Sequence, residues 1–215
     1  CPSGLSAITT AILPFVSQGD HILMADVVYG PARNFATKFL PRYGVSTTFF
    51  DPDIGAGISE LIQDNTKVVY LESPGSLTFE IQDTPAIAEA AKKRGCIVMT
   101  DNTWATGLYY KPFELGCDVS VHAATKYIVG HSDAMLGAIT CTKEAFGPIR
   151  EAWDLLGVAA APDDVYLGTR GVRTMAVRLA QHHKNGLEVA EWLESRPEVA
   201  RVLHPALPSN PYHEI

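Results

Sequence analysis

A lysine, an aspartate and a glycine at the start of a helix stand where they could act on one ligand. Lys126 follows an apolar, strand-like run at 119–121 after the short loop His122-Ala123-Ala124-Thr125. Asp101 ends a second such run at 96–100, Ser3-Gly4 opens the first helical stretch, and Tyr29 sits at another strand-to-helix turn. Open parallel sheets bind ligands outside the carboxyl ends of their strands, where these residues fall. A glycine-opened helix start offers free backbone N–H groups and a positive dipole end to a phosphate. A lysine amine forms an imine with an aldehyde once it loses its proton, which partial burial and a neighbouring cation favour. A carboxylate at the far end could keep a pyridine nitrogen protonated and the ring an electron sink. An aromatic side chain such as Tyr29 could stack on the ring face. Together they suit pyridoxal 5'-phosphate, with Lys126 as the Schiff-base residue.

Taken singly, each feature has a plainer reading. A Ser-Gly before a helix is commonly a cap, a strand-end aspartate commonly bonds a neighbouring loop, and a loop lysine is usually a solvated charge. It is the combination that points to a cofactor. His131-Ser132-Asp133 cannot be a hydrolase triad, because consecutive residues cannot hold the geometry. His182 and His183 lie among Arg178, Gln181 and Lys184 and read as a polar helix face, so no metal site is expected. Trp153 and Trp192 read as core or interface anchors, and Glu72 as structural rather than as an acid or base. Trp104, close after Asp101, is a candidate for lining a substrate pocket. Two other classes stay open on the residues alone. One is a cofactor-free lysine Schiff-base enzyme such as an aldolase. The other is a non-catalytic α/β binding domain, although neither GxGxxG nor GxxxxGK[ST] occurs.

The elements that must position these residues alternate. Runs at 21–25, 45–50, 67–71, 96–100, 119–121 and 137–142 read as strands, most of them nearly continuously apolar, as expected of parallel strands buried on both faces. Helical candidates at 4–16, 31–42, 59–63 and 85–94 lie between them. Thr84-Pro85 reads as a cap followed by a first helical residue, and Gly95 as the stop. The expected fold is therefore α/β, a mostly parallel sheet covered by helices on both faces. After about Lys143 helical periodicity prevails through Trp192, followed by a strand-like stretch at 200–204 and a proline-rich end. The expected division is a large domain over 1–165, lacking its N-terminal part, and a bridging helix with the truncated start of a C-terminal α+β domain over 166–215. A start without Met and an end in a turn-rich stretch fit a fragment.

The bulk numbers narrow the function classes. Apolar residues make up 47% of the 215 and charged residues 19%, an ordinary globular balance. A net charge of -7 without a basic run disfavours nucleic acid or an anionic membrane as partner. The longest apolar stretch, 5–16, is broken by Ser6, Thr9, Thr10 and Pro14 and reads as a buried helix rather than a membrane span. Cys1, Cys96, Cys117 and Cys141 are scattered without a CxxC pair, as in a reducing compartment.

Five stretches, in order, resemble the cysteine and methionine metabolism family of pyridoxal-phosphate enzymes. They are Ser3-Gly4-Leu5-Ser6-Ala7, Tyr29-Gly30, Glu72-Ser73-Pro74, Asp101-Asn102-Thr103-Trp104-Ala105, and Ala124-Thr125-Lys126-Tyr127 followed by Gly130-His131-Ser132-Asp133. The likeness runs over nearly the whole chain. Glu72-Ser73-Pro74-Gly75-Ser76, Trp104, and 168–174 through Gln181-His182-His183 resemble the bacterial β-lyase branch rather than the γ-synthase and γ-lyase branches. The resemblance implies the aspartate-aminotransferase-like large domain of fold type I. It implies that Lys126 carries the cofactor and moves the substrate Cα proton. Asp101 would pair with the ring nitrogen, Gly4, Leu5 and Thr125 would bind the phosphate, and Tyr29 would stack and help deprotonate the incoming amine. The reaction implied is α,β-elimination of L-cystathionine to homocysteine, pyruvate and ammonia, with γ-elimination, γ-replacement or cysteine-conjugate cleavage as sister readings. A cytoplasmic homotetramer with shared active sites is implied too. Ala123 replaces a serine common in the family, and the family's substrate-carboxylate arginine lies outside this chain.

Overall fold

The computed structural model describes residues 1–214. One six-stranded sheet has the order β2-β1-β3-β4-β5-β6. Its strands are β1 (His21–Ala25), β2 (Ser46–Phe50), β3 (Thr66–Glu72), β4 (Ile97–Asp101), β5 (Val119–His122) and β6 (Ala138–Cys141). The first five run parallel and β6 runs antiparallel to β5. Every residue of β1 and of β5 is buried, as is most of β3 and β4. That two-sided burial is why these segments read as mostly apolar runs. Leu23, Met24, Val69, Tyr70, Val98, Met99, Val119 and Val121 form the centre of the core.

Among the described residues, seven α-helices connect and cover the strands: α1 (Gly4–Ile12), α2 (Gly30–Asn34), α3 (Thr84–Lys93), α4 (Thr106–Tyr109), α5 (Lys143–Leu155), α6 (Pro162–Val172) and α7 (Met175–Glu194). In α1 the residues Ala7, Ile8, Ala11 and Ile12 are buried, the spacing of one helix face, and the helix packs on β5 and β6. Helix α3 packs on β4. Its cap is Asp83, which accepts the Ala86 N–H, so Thr84 is the first helical residue rather than the cap. Gly95 ends it with φ +73, a left-handed stop that suits glycine. Among the described residues no helix is long and apolar enough to cross a membrane.

Four expectations need correction. Helix α1 stops at Ile12 and tightens into a 3₁₀ turn, Leu13–Phe15, at Pro14. The expected helix at 31–42 is α2, a π-turn (Phe35–Phe39) and a 3₁₀ turn (Leu40–Tyr43) in series. The expected helix at 59–63 is replaced by 3₁₀ turns over Pro52–Glu60, interrupted at Gly55 with φ +50. Residues 200–204 form no strand. An apolar stretch without a neighbouring strand to take its backbone N–H and C=O groups gains nothing by extending. The expected division between 165 and 166 falls inside α6.

Candidate active site

Successive strands leave β1 in opposite directions. The chain goes to β2 on one side and returns to β3 on the other, so the loops beyond β1 and β3 part and leave a crevice at the carboxyl edge. Four adjacent strands send residues there. Tyr29 lies beyond β1, Glu72 ends β3, Asp101 ends β4, and Lys126 lies beyond β5. Glu72 and Asp101 are register partners, so their side chains leave the same face side by side. With Gly4, Leu5, Thr103 and Thr125 they line a cavity of about 250 Å³.

Lys126 is exposed, and its Nζ lies 5.7 Å from the centroid of the Tyr29 ring. Its loop is a compact turn. The Lys126 N–H donates to the Ala123 carbonyl at 3.0 Å, and the Gly130 N–H to the Lys126 carbonyl at 2.7 Å. Arg178 of α7 holds the far side, donating to the carbonyls of Tyr127 and Gly171 at 2.8 Å each. Gly130 has φ +80, and a Cβ there would collide with that guanidinium. Lys126 is the positive charge acting on both Glu72 and Asp101.

Asp101 is 8% exposed. Burial pushes its carboxyl up from the usual range, against hydrogen bonds from Thr103 and the charge of Lys126. The Thr103 N–H donates to Asp101 Oδ1 at 3.0 Å, and Thr103 Oγ1 accepts the Ala123 N–H at 2.8 Å. Thr103 thus joins the carboxylate to the lysine loop, a role absent from the sequence reading. The aspartate-turn pattern of Asp101-Asn102-Thr103 carried the signal. Glu72 is half-buried. Burial, then the neighbouring Asp101, push its carboxyl up to about 7, opposed by Ser76, the Tyr29 amide and Lys126.

At the start of α1, the first helical bond is the Ala7 N–H to the Ser3 carbonyl at 3.0 Å. The N–H groups of Gly4 and Leu5 precede it and have no carbonyl within the helix. A Cβ on Gly4 would lie 2.7 Å from the Ala123 Cβ, so only glycine lets α1 meet the lysine loop this closely. Thr125 lines the same cavity while its hydroxyl donates to the Leu136 carbonyl at 3.1 Å and accepts the Leu136 N–H at 2.9 Å. Trp104 is 43% exposed and faces a separate cavity of about 280 Å³ beside Phe79, Tyr109 and His182. His131 Nδ1 meets the Val129 carbonyl at 2.8 Å, and Ser132 has φ +58, a loop arrangement rather than a triad.

This edge therefore combines a primary amine facing an aromatic ring, a pair of adjacent carboxyls, one of them buried, and free N–H groups at a helix start. The family profile described as "Cys/Met metabolism PLP-dependent enzyme" matches residues 1–215. A putative cystathionine beta-lyase of Rhizobium johnstonii is 51% identical over 214 residues, covering 100% of this chain and 54% of that protein. Cystathionine beta-lyase MetC of Escherichia coli K12 is 49% identical over 215 residues, covering 99% of this chain and 54% of that protein. The crystal structure of metB from Corynebacterium glutamicum superposes with a TM-score of 0.96 at 32% identity, over 99% of this chain and 56% of that one. The chain spans about half the length of the curated relatives it matches. On profile, identity and superposition alike, this chain belongs to the Cys/Met metabolism family of pyridoxal-phosphate-dependent enzymes.

Proposed function

We propose that the protein containing this chain is a carbon–sulfur lyase that splits L-cystathionine by α,β-elimination into homocysteine, pyruvate and ammonia. The observation that carries the reading is the single cavity joining Lys126, Tyr29, Asp101 and the open start of α1. Pyridoxal 5'-phosphate fits the residues present. The cleft between α1 and the lysine loop is one a Cβ on Gly4 would fill, and the buried Asp101 suits a cationic nitrogen. The bound cofactor supplies an aldehyde for covalent capture of the substrate amine and a conjugated ring that withdraws electrons from Cα.

The protein's own groups do the rest. The N–H groups of Gly4 and Leu5 hold the phosphate at the positive end of α1, with Thr125 beside them. Tyr29 packs on the ring face. Asp101 holds a proton at the ring nitrogen, and that cation offsets the cost of burying the carboxylate. The Lys126 amine takes the proton from Cα and returns one to the departing sulfur. Trp104 stands at the neighbouring cavity, where the longer arm of a substrate would emerge. Residues 166–215 carry the bridging helix and the start of a second domain in this reading. The assembly is a cytoplasmic homotetramer with shared active sites.

Borohydride reduction of the full-length protein with pyridoxal phosphate, followed by peptide mass mapping, should place a stable adduct on Lys126. An adduct elsewhere, or none on folded protein, sinks the reading. The γ-cleaving alternative yields 2-oxobutyrate from cystathionine where the β-lyase yields pyruvate, so a product assay separates them. Sedimentation of the full-length protein tests the tetramer.

A further inference from the structure

Glu72 ends β3 beside Asp101, yet no step above uses it. Both of its carboxylate oxygens are engaged. Oε2 accepts the Tyr29 backbone N–H at 2.7 Å, and Oε1 accepts the Ser76 hydroxyl at 2.6 Å. The segment carrying Ser76 is docked on the segment carrying Tyr29. The Ser76 N–H donates to the Val27 carbonyl at 2.7 Å, and a Cβ on Gly75 would lie 2.5 Å from Val27. The Gln82 amide donates to the Glu72 carbonyl at 2.7 Å, fixing the strand end itself. One side chain thus ties the loop beyond β1 to the loop beyond β3, across the divergence that opens the cavity.

We propose that Glu72 is a positioning residue that sets the angle of Tyr29 over the cofactor ring, acting through the Tyr29 amide and braced by Ser76. The proposal rests on the pyridoxal-phosphate reading of the cavity. The two partners differ in what they tolerate. A backbone N–H can only donate, so Oε2 must stay an acceptor. The Ser76 hydroxyl can turn and accept, so a proton or an amide nitrogen fits at the Oε1 side. Glutamine can therefore replace Glu72, with its oxygen toward Tyr29 and its nitrogen toward Ser76, whereas alanine and the shorter aspartate cannot reach. The groups facing this carboxylate are Asp101 from β4, Lys126 from beyond β5, the Tyr70 hydroxyl from β3, and the two donors named.

The test is equilibrium binding of pyridoxal 5'-phosphate to the full-length apoprotein, with visible circular dichroism of the bound cofactor as a report of ring placement. Glu72→Ala should weaken binding about tenfold to a hundredfold, the effect of leaving a donor unpaired at a binding site, and should reduce the dichroism. Glu72→Gln should restore both to within about threefold. If Glu72→Ala fails to fold, Glu72→Asp takes its place with the same expectation. Folded Ala or Asp variants that bind and give dichroism like the parent overturn the proposal. So does a Gln variant as impaired as Ala, because a carboxylate charge would then be required. Failure of the parent protein itself to bind pyridoxal phosphate would overturn the cofactor reading instead, so the two failures are distinguishable.

Discussion

The two faces of the sheet meet at the same strand ends and treat polar groups in opposite ways. On one face Glu72, Asp101 and Lys126 gather charge around an open cavity. On the other, Thr100 and Ser120 are register partners, and His122 joins Ser120 with Nε2 3.1 Å from its hydroxyl. Asn102 donates to the Tyr110 carbonyl at 3.2 Å, and the Tyr110 hydroxyl donates to Thr84 at 2.6 Å. That second cluster is neutral. Burial drives His122 down to about 4 and pushes Tyr110 well above the usual phenol range. Strand alternation separates Glu72 and Asp101 from Thr100, Ser120 and His122, since neighbours in sequence point to opposite faces. Chemistry and cohesion are thereby assigned to different sides of the same few residues, and substitutions on each side should have different symptoms.

The largest expected effect is on the charged face. Lys126→Ala should lower kcat by on the order of 10³-fold or more, as loss of both imine formation and proton transfer implies. Thermal unfolding should stay near the parent, because the side chain is exposed and makes no buried bond. A marked drop in melting temperature would show that the cavity face also carries stability.

The pH dependence of apoprotein stability should pull in opposite directions. Glu72 is raised from 4.5 to about 7, so its folded form holds a proton more tightly than its unfolded form. Its contribution is complete below about 4.5 and is lost as pH climbs toward 7, on the order of 3 kcal/mol. His122 is lowered from 6.5 to about 4, so its contribution is complete above 6.5 and is lost as pH falls toward 4, by a similar amount. Denaturant titrations across this range should show Glu72→Gln flattening the neutral side and His122→Leu the acid side. Parental slopes in both variants would mean that neither group carries the linkage.

At fixed neutral pH, His122→Leu should cost about 2 kcal/mol by stranding the Ser120 hydroxyl, and should leave kcat within about threefold. A fall in kcat at unchanged stability would erase the distinction between the faces. The smallest effect belongs to Tyr70, on the Asp101 side. Its buried hydroxyl has no partner among the described residues. Tyr70→Phe should therefore be neutral or stabilising by up to about 1 kcal/mol in a melting experiment.

Much of this was legible in the residues. The strand runs were readable because two-sided burial writes itself as consecutive Val, Ile, Leu and Met, and Gly95 announced the end of α3. Lys126, Asp101, Tyr29 and Gly4 were readable because strand ends and a helix start place them at one edge. Glu72 was legible in type but not in role. Its importance lies in pairing with Asp101, and register between strands is not visible along one segment. Thr103 was hidden for the same reason, since its partner Ala123 belongs to another loop. The misread segments, 59–63 and 200–204, are short. Local glycines, prolines and the lack of a partner strand outweigh their apolar pattern.

The close approach of Gly4 to Ala123 has a consequence for how this sequence can change. The two positions share one small volume, with no slack for a second methyl group. A Cβ at Gly4 would also lie 2.8 Å from the Ala123 Cα, so trimming Ala123 to glycine makes no room for it, and growth at position 4 must part the helix from the lysine loop. In a library randomising both positions and selected for cofactor retention, the survivors should keep glycine at position 4 whatever residue stands at 123, although neither residue takes part in the chemistry through its side chain.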